Sequence, residues 1–160
     1  MTAAGRAVAA TALLAALLLA LASAGTEDAE VLRDLEGAVF AAVNGHRRVA
    51  GLPDLSPSGE VARVARGHSQ AMAAGRAGFG HDGFDERTAT IRSRMPLSSA
   101  AENVSKHTRP LTQVPDAALA IWLESRQHRQ NIEGHYDTSG VGAARDEAGT
   151  IFLTQIFVAR

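Results

Sequence analysis

From Asp28 to Ala50 apolar residues return at every fourth position, Val31, Leu35, Val39 and Val43, with Val49 beyond them and charges in between. That spacing predicts an amphipathic helix, ended by Gly51 and followed by Pro53. Ser56 before Pro57 reads as an N-cap and first helical residue. The stripe Val61, Val64, Ala65, His68 and Met72 then carries a second helix to about Ala74, where Gly75, Gly78, Gly80 and Gly83 break it. A weaker helix is expected from Asp85 through Arg94, stopped before Pro96, and AENVSKH offers a brief strand around Val104. Pro115 and Asp116 open the helix ALAIWLES, with Leu119, Trp122 and Leu123 on one face, and HRQNI begins a short second helix closed by Gly134. The period then changes. VGAAR (Val141 to Arg145) and IFLTQIFV (Ile151 to Val158) are β-prone runs joined through DEAGT, an antiparallel hairpin. Helices first and a hairpin last predict an α+β fold, with helices covering both faces of a small antiparallel sheet, and exclude a doubly wound parallel sheet.

The opening residues follow a different pattern. Arg6 precedes an apolar run centred on Leu13 to Leu21 and small residues at Ala22 and Ala24, the pattern of a secretory signal cleaved after Ala24. An uncleaved membrane anchor is the alternative, since Ala7 to Ala24 is near the shortest run that spans a bilayer. The expected organisation is therefore a signal peptide over 1–24 and one domain over 25–160, secreted, with no later membrane span. The 160 residues suffice for one hydrophobic core. A net charge of −1 provides no basic surface for nucleic acid or anionic lipid. With no cysteine, the chain has neither disulfides nor thiolate chemistry, and its stability rests on packing.

Candidate chemistry gathers in four stretches. GHSQA (Gly67 to Ala71) superficially matches a nucleophile elbow, but it lies inside a helical period and ends in alanine, so Ser69 is not expected to be catalytic. His68 is expected as a hydrogen-bonded histidine on the inner helix face. His81 lies in the glycine-rich loop GFGHDGF between Phe79 and Phe84, Glu102 lies in AENV, and His128 follows Trp122 and Ser125 in WLESRQHRQNI. Each has an ordinary structural reading. As a set, two neutral imidazoles and a carboxylate can hold a divalent ion or act as paired acid and base. No H-E-x-x-H is present, and His46, His107 and His135 are expected to be exposed or structural. Asn103-Val104-Ser105 is formally a glycosylation acceptor.

At these residues the chain resembles the CAP superfamily of cysteine-rich secretory proteins, antigen 5 and plant pathogenesis-related protein 1, in its cysteine-free bacterial, SCP-like extracellular form. The matching pieces run in order: VFAAVNGHRRVAGLPDL, HSQAMAAG, GFGHDGF with Arg87, AENV, WLESRQHRQNI, the GVG at Gly140 to Gly142, and TQIF at Thr154 to Phe157. The resemblance implies an α-β-α sandwich with a cleft lined by two histidines and two acids. His81 matches the first histidine, Glu102 the first acid and His128 the second histidine. Ser125 stands where the second acid belongs, and Glu124, one residue earlier, points about 100° away on a helix.

The resemblance further implies zinc or another divalent cation at His81 and His128, with Glu102 supporting, and leaves the family's activity divided among lipid or sterol binding, proteolysis and partner binding. The expected function is that of a secreted binding module, monomeric, with a protein, peptide or lipid ligand and no nucleic acid. Its candidate cleft residues are His81, Glu102, Ser125 and His128, with His68 and Gln155 as buried polar support. A metal-assisted hydrolase of peptide or cell-envelope material, with Glu102 as base, is the first alternative. A lipid-binding protein is the second.

Overall fold

Nine residues of continuous pairing between Ser99–His107 and Ile151–Ala159 form the spine of the molecule. The computed structural model describes the chain from Ala3 to Arg160, with side chains from Gly25 onward. The expected signal sequence therefore falls on residues whose side chains lie outside the description. The elements are α1 (Ala3–Val49), β1 (Ser56–Pro57), α2 (Gly59–Ala73), α3 (Phe84–Arg92), β2 (Ser99–His107), α4 (Val114–Glu124), α5 (Arg126–Glu133), β3 (Thr138–Arg145) and β4 (Ile151–Ala159). One 3-10 turn, Leu111–Gln113, precedes α4. The chain divides after Leu32 into two units, and Arg33–Arg160 holds the sheet and every other helix. No helix among the described residues is long and apolar enough to cross a membrane.

The sheet order is β1-β3-β4-β2, antiparallel except for the short parallel pair β1–β3. The expected α+β architecture is what forms. Strand alternation gives the sheet two faces. One carries Glu102, Val104, Gly140, Gly142, Thr154 and Ile156, and α2 packs on it with Val61, Val64 and Ala65 clustered against Ile156. The register leaves no room for side chains beneath α2. A Cβ at Gly140 would lie 2.2 Å from the Ala62 nitrogen, and one at Gly142 would lie 2.0 Å from that of Arg66. Ser69 seals the contact. Its fully buried hydroxyl lies 2.9 Å from both the Gly142 carbonyl and the Thr154 hydroxyl, the place of a structural serine.

Several expected boundaries move. α1 continues back to Ala3 instead of starting at Asp28, because the alanine- and leucine-rich segment contains strong helix formers and no breaker stronger than Gly25. Of its stripe, Leu35, Val39 and Val43 are buried, whereas Val31 and Val49 are exposed; Asn44 and Arg47 take the buried positions of the last turns. The N-cap of α2 is Ser58, not Ser56, its hydroxyl accepting from Val61 N–H at 3.3 Å. Ser56 and Ser58 instead donate their N–H groups to Asp137 and Ser139, so Ser56-Pro57 is extended edge backbone, where proline needs no donor. α3 begins and ends slightly earlier than expected. The inner seam of α4 is Val114, Ala118 and Trp122, while Leu119 and Leu123 are half-buried.

Arg47 ties α1 to the loop before β3. It is 2% exposed and donates to the carbonyls of Pro53 (2.8 Å), Ile132 (2.7 Å), Gly134 (3.1 Å) and Tyr136 (3.4 Å). Burial lowers its pKa, with Asp54 acting in the opposite direction. His46 beside it pairs with Glu133 at 2.8 Å, His107 is buried at the end of β2, and His135 is exposed.

Candidate functional site

The loop after α2 is held in place before it presents anything. His68 is buried on the inner face of α2 and its Nε2–H donates to the Gly80 carbonyl at 2.8 Å. Gly80 and Gly83 have φ values of 148° and 78°, backbone that favours glycine, and Gly83 starts α3 in the left-handed region. Two residues of this turn are thereby fixed around His81. Phe84 N–H closes it by donating to the His81 carbonyl at 3.0 Å.

His81 Nδ1–H donates to Glu102 Oε1 at 3.0 Å. Arg87, in the first turn of α3, grips the same carboxylate with Nε on Oε2 and Nη2 on Oε1, both at 2.7 Å. Its guanidinium also donates to the carbonyls of Asp82 (2.8 Å) and His81 (3.2 Å). The Glu102 side chain is 1% exposed, that of Arg87 12% and that of His81 50%. An ionised carboxylate with so little water is tolerable because charge-assisted donors satisfy both oxygens. The arrangement also fixes the histidine tautomer: with the proton on Nδ1, Nε2 keeps its lone pair.

The second imidazole comes from α5. Ser125 ends α4 and caps α5, its Oγ accepting from His128 N–H at 3.4 Å. Ser125 is thus occupied at the helix start, and Glu124 is exposed. Asn103 Nδ2 donates to the His128 carbonyl at 3.1 Å, and Asn131 Nδ2 donates to the Glu102 carbonyl at 3.2 Å and to Asn103 Oδ1 at 2.8 Å. Two asparagines thereby tie α5 to β2. The His81 and His128 rings stand 6.0 Å apart between centroids, tilted by 55°. His128 Nδ1 is buried and has no hydrogen-bond partner. Burial lowers the His128 pKa, and the nearby His81 lowers it further.

His81, Glu102 and His128 therefore come together as expected, with Ser125 one turn behind. Spacing alone gave no role to Arg87, Asn103 or Asn131. Their signals are a lone cation four residues after a turn glycine and amides inside the two short motifs. Asn103 is fully buried in β2, so its glycosylation motif is closed to modification. Gln155 is buried polar support under the sheet, donating to Ser139 Oγ at 3.0 Å.

A groove of about 350 Å³ opens beside Glu102, lined by His81, Phe84, Ala100, Ala101, Gln127, Asn131 and Tyr136. Larger and remote from it, about 800 Å³ lies between the end of α2 and the β3–β4 turn, lined by Gln70, Arg76, Asp146 and Glu147 among others. Its size exceeds that of the groove, but no histidine lines it. A third depression, about 210 Å³ between α1, α2 and β3, is smaller than the few hundred Å³ of ordinary ligand pockets.

For a cation, the imidazoles of His81 and His128 are the candidate donors. No group of three or more histidine, cysteine or acidic side chains among the described residues is placed to hold a metal. Two imidazoles suit a weakly held ion that ligand or solvent completes, and fall short of the three protein ligands of a zinc enzyme.

The model of the cysteine-rich secretory protein family, CAP, matches residues 40–157. A search of curated protein sequences gave no match. Among solved structures, an extracellular protein containing an SCP domain from Bacillus anthracis is 28% identical with a TM-score of 0.67, and the match covers 81% of this chain and 41% of that one. An outer surface protein of Borrelia burgdorferi is 14% identical, TM-score 0.67, with 81% and 95% covered. A cysteine-rich secretory protein of Staphylococcus aureus is 18% identical, TM-score 0.63, with 81% and 40% covered. This chain thus spans about two fifths of the Bacillus and Staphylococcus proteins.

Proposed function

The chain belongs to the cysteine-rich secretory protein (CAP) family, and on that premise we propose that it is an exported, monomeric binding module whose ligand enters the groove beside Glu102. The observation that carries this reading is the His81 ring, which lines the groove, standing 6.0 Å from the His128 ring, whose buried Nδ1 has no partner. A buried polar atom without a partner costs about 1–3 kcal/mol, so a ligand or ion that satisfies it is favoured by that amount. Export is supported by the three solved relatives, described as extracellular, outer-surface and secretory proteins.

His81 and His128 would hold a divalent cation, which when bound supplies positive charge and an open coordination position for a ligand oxygen. The chain's own groups do the positioning. Glu102 holds the His81 ring through Nδ1, Arg87 holds Glu102, and α5 carries His128 into place from its Ser125 cap. Glu102 is engaged on both oxygens and is therefore an orienting group, not a free base. This favours binding over hydrolysis.

Calorimetric Zn²⁺ titration of the chain beside its His81→Ala/His128→Ala variant tests the reading. Binding near one equivalent that disappears in the folded variant is the expected result. Equal binding by both proteins would remove the histidine pair from the function.

A further inference from the structure

The floor of the groove is the outer edge of a strand. β2 is the last strand of the sheet and pairs with β4 on one side only. In an antiparallel ladder the N–H and C=O of one residue point together to one side, and those of the next to the other. Two contacts fix which residues of β2 point outward. Asn131 Nδ2 on α5 donates to the Glu102 carbonyl at 3.2 Å, and Trp122 Nε1 on α4 donates to the Val104 carbonyl at 3.2 Å. Even-numbered residues therefore face away from β4, and helix side chains take the carbonyls at 102 and 104. The same alternation turns the N–H and C=O of Ala100 outward, into the groove that Ala100 lines.

We propose that the groove binds a peptide in extended conformation, which adds a short strand to the edge of β2 at Ala100–Glu102 between α3 and α5. The inference rests on the reading of this groove as the binding site and names its occupant. An adjacent donor and acceptor from one residue match the repeating donor and acceptor of another backbone. The charges of the groove are already matched internally, because Arg87 and His81 engage the Glu102 carboxylate. What faces an incoming segment is uncharged: the Ala100 backbone, the Gln127 amide, and the rings of Phe84 and Tyr136. Side chains on a bound strand leave it alternately to either side, and these two rings offer surfaces for them. A charged ligand would find no unpaired counter-ion among the lining residues, since Glu102 and His81 are paired with each other. A glycan, the competing occupant for an aromatic- and amide-lined groove, would not depend on the Ala100 N–H.

The test is selection of a phage-displayed dodecapeptide library on the whole protein, followed by titration of an enriched synthetic peptide with amide resonances recorded. Shifts at Ala100 and Glu102 are expected, together with roughly tenfold or greater weakening when the peptide is N-methylated at single central positions. Ala100→Pro, tolerable at an outward-facing edge position, should weaken binding to the same extent while Zn²⁺ binding is kept. N-methylation leaves the protein untouched, so it decides the matter even if the variant fails to fold. No enriched peptide, binding indifferent to N-methylation, or shifts at Ala100 produced by a chito-oligosaccharide instead would overturn the proposal. Loss of peptide binding with zinc binding intact sinks the edge-pairing alone. Absence of both would sink the groove reading beneath it.

Discussion

Where α2 crosses β3, the two elements meet backbone to backbone over Gly140 and Gly142; where α5 and α3 meet β2, they are joined by asparagine amides from α5 and by the Arg87 guanidinium of α3 on the Glu102 carboxylate. The first contact is determined by shape and leaves no space for a ligand. The second is determined by polar pairing and leaves a groove and one unsatisfied nitrogen. One sheet thus has a closed side at β3 that bears the stability and an open side at the β2 edge, where a groove remains.

The contrast breaks most readily at the closed side. Gly142→Val would drive a side chain into the backbone of α2 at Arg66, and a loss of about 3–5 kcal/mol in urea unfolding, or failure to fold, is expected. A loss under about 1 kcal/mol would show that α2 can shift. At the open side, Glu102→Ala leaves the Arg87 guanidinium without its carboxylate, and a loss of about 2–4 kcal/mol is expected, with Glu102→Gln retaining part of it.

Titration sharpens the difference further. Burial and then His81 lower the His128 pKa, so the folded chain binds fewer protons than the unfolded one. The stability held by neutral His128 is complete above the ordinary histidine range. It falls as pH drops below about 6.5 and stops falling below the folded-state pKa. His81→Ala removes the second cause, so His128 should titrate higher in ring-proton NMR and the acid loss should shrink. His107, lowered by burial and then by Arg109, contributes a loss of the same sign that persists in that variant. An unchanged His128 titration would mean that the rings do not sense each other. The smallest effect is expected from Ser125→Ala: its capping bond is long at 3.4 Å, and about 0.5–1 kcal/mol of stability should be lost in thermal unfolding without loss of Zn²⁺ binding.

Much of this was legible in the residues, for identifiable reasons. The stripe Val61, Val64, Ala65, His68 and Met72 is buried as its period predicts, because a helix on a sheet has one inner face and that period defines it. The ordered short motifs placed His81, Glu102 and His128 together, since the loop before α3 and the first turn of α5 both come to β2, which carries Glu102. The role of Arg87 was not legible: a cation one turn into a helix is usually solvated, and only the partner strand shows that it meets a buried carboxylate. Ser56 misled for a related reason. Serine before proline is a sound local start signal, but Ser56 gives its N–H to Asp137, eighty-one positions along the chain, and no local pattern carries such a pairing.

The strand order has a consequence in time. β4 lies between β3 and β2, and it is the last of the four strands to be made. Until Ile151–Ala159 has emerged, neither long ladder can form, α2 has only part of its sheet to pack on, and β2 has no partner strand to define its edge. Local helices can form early, but the outer edge of β2 is assembled only once β4 has been made, through contacts that are distant in sequence and therefore slow to close. A nascent chain halted before β4 would hold every residue of the histidine–carboxylate cluster and have no groove.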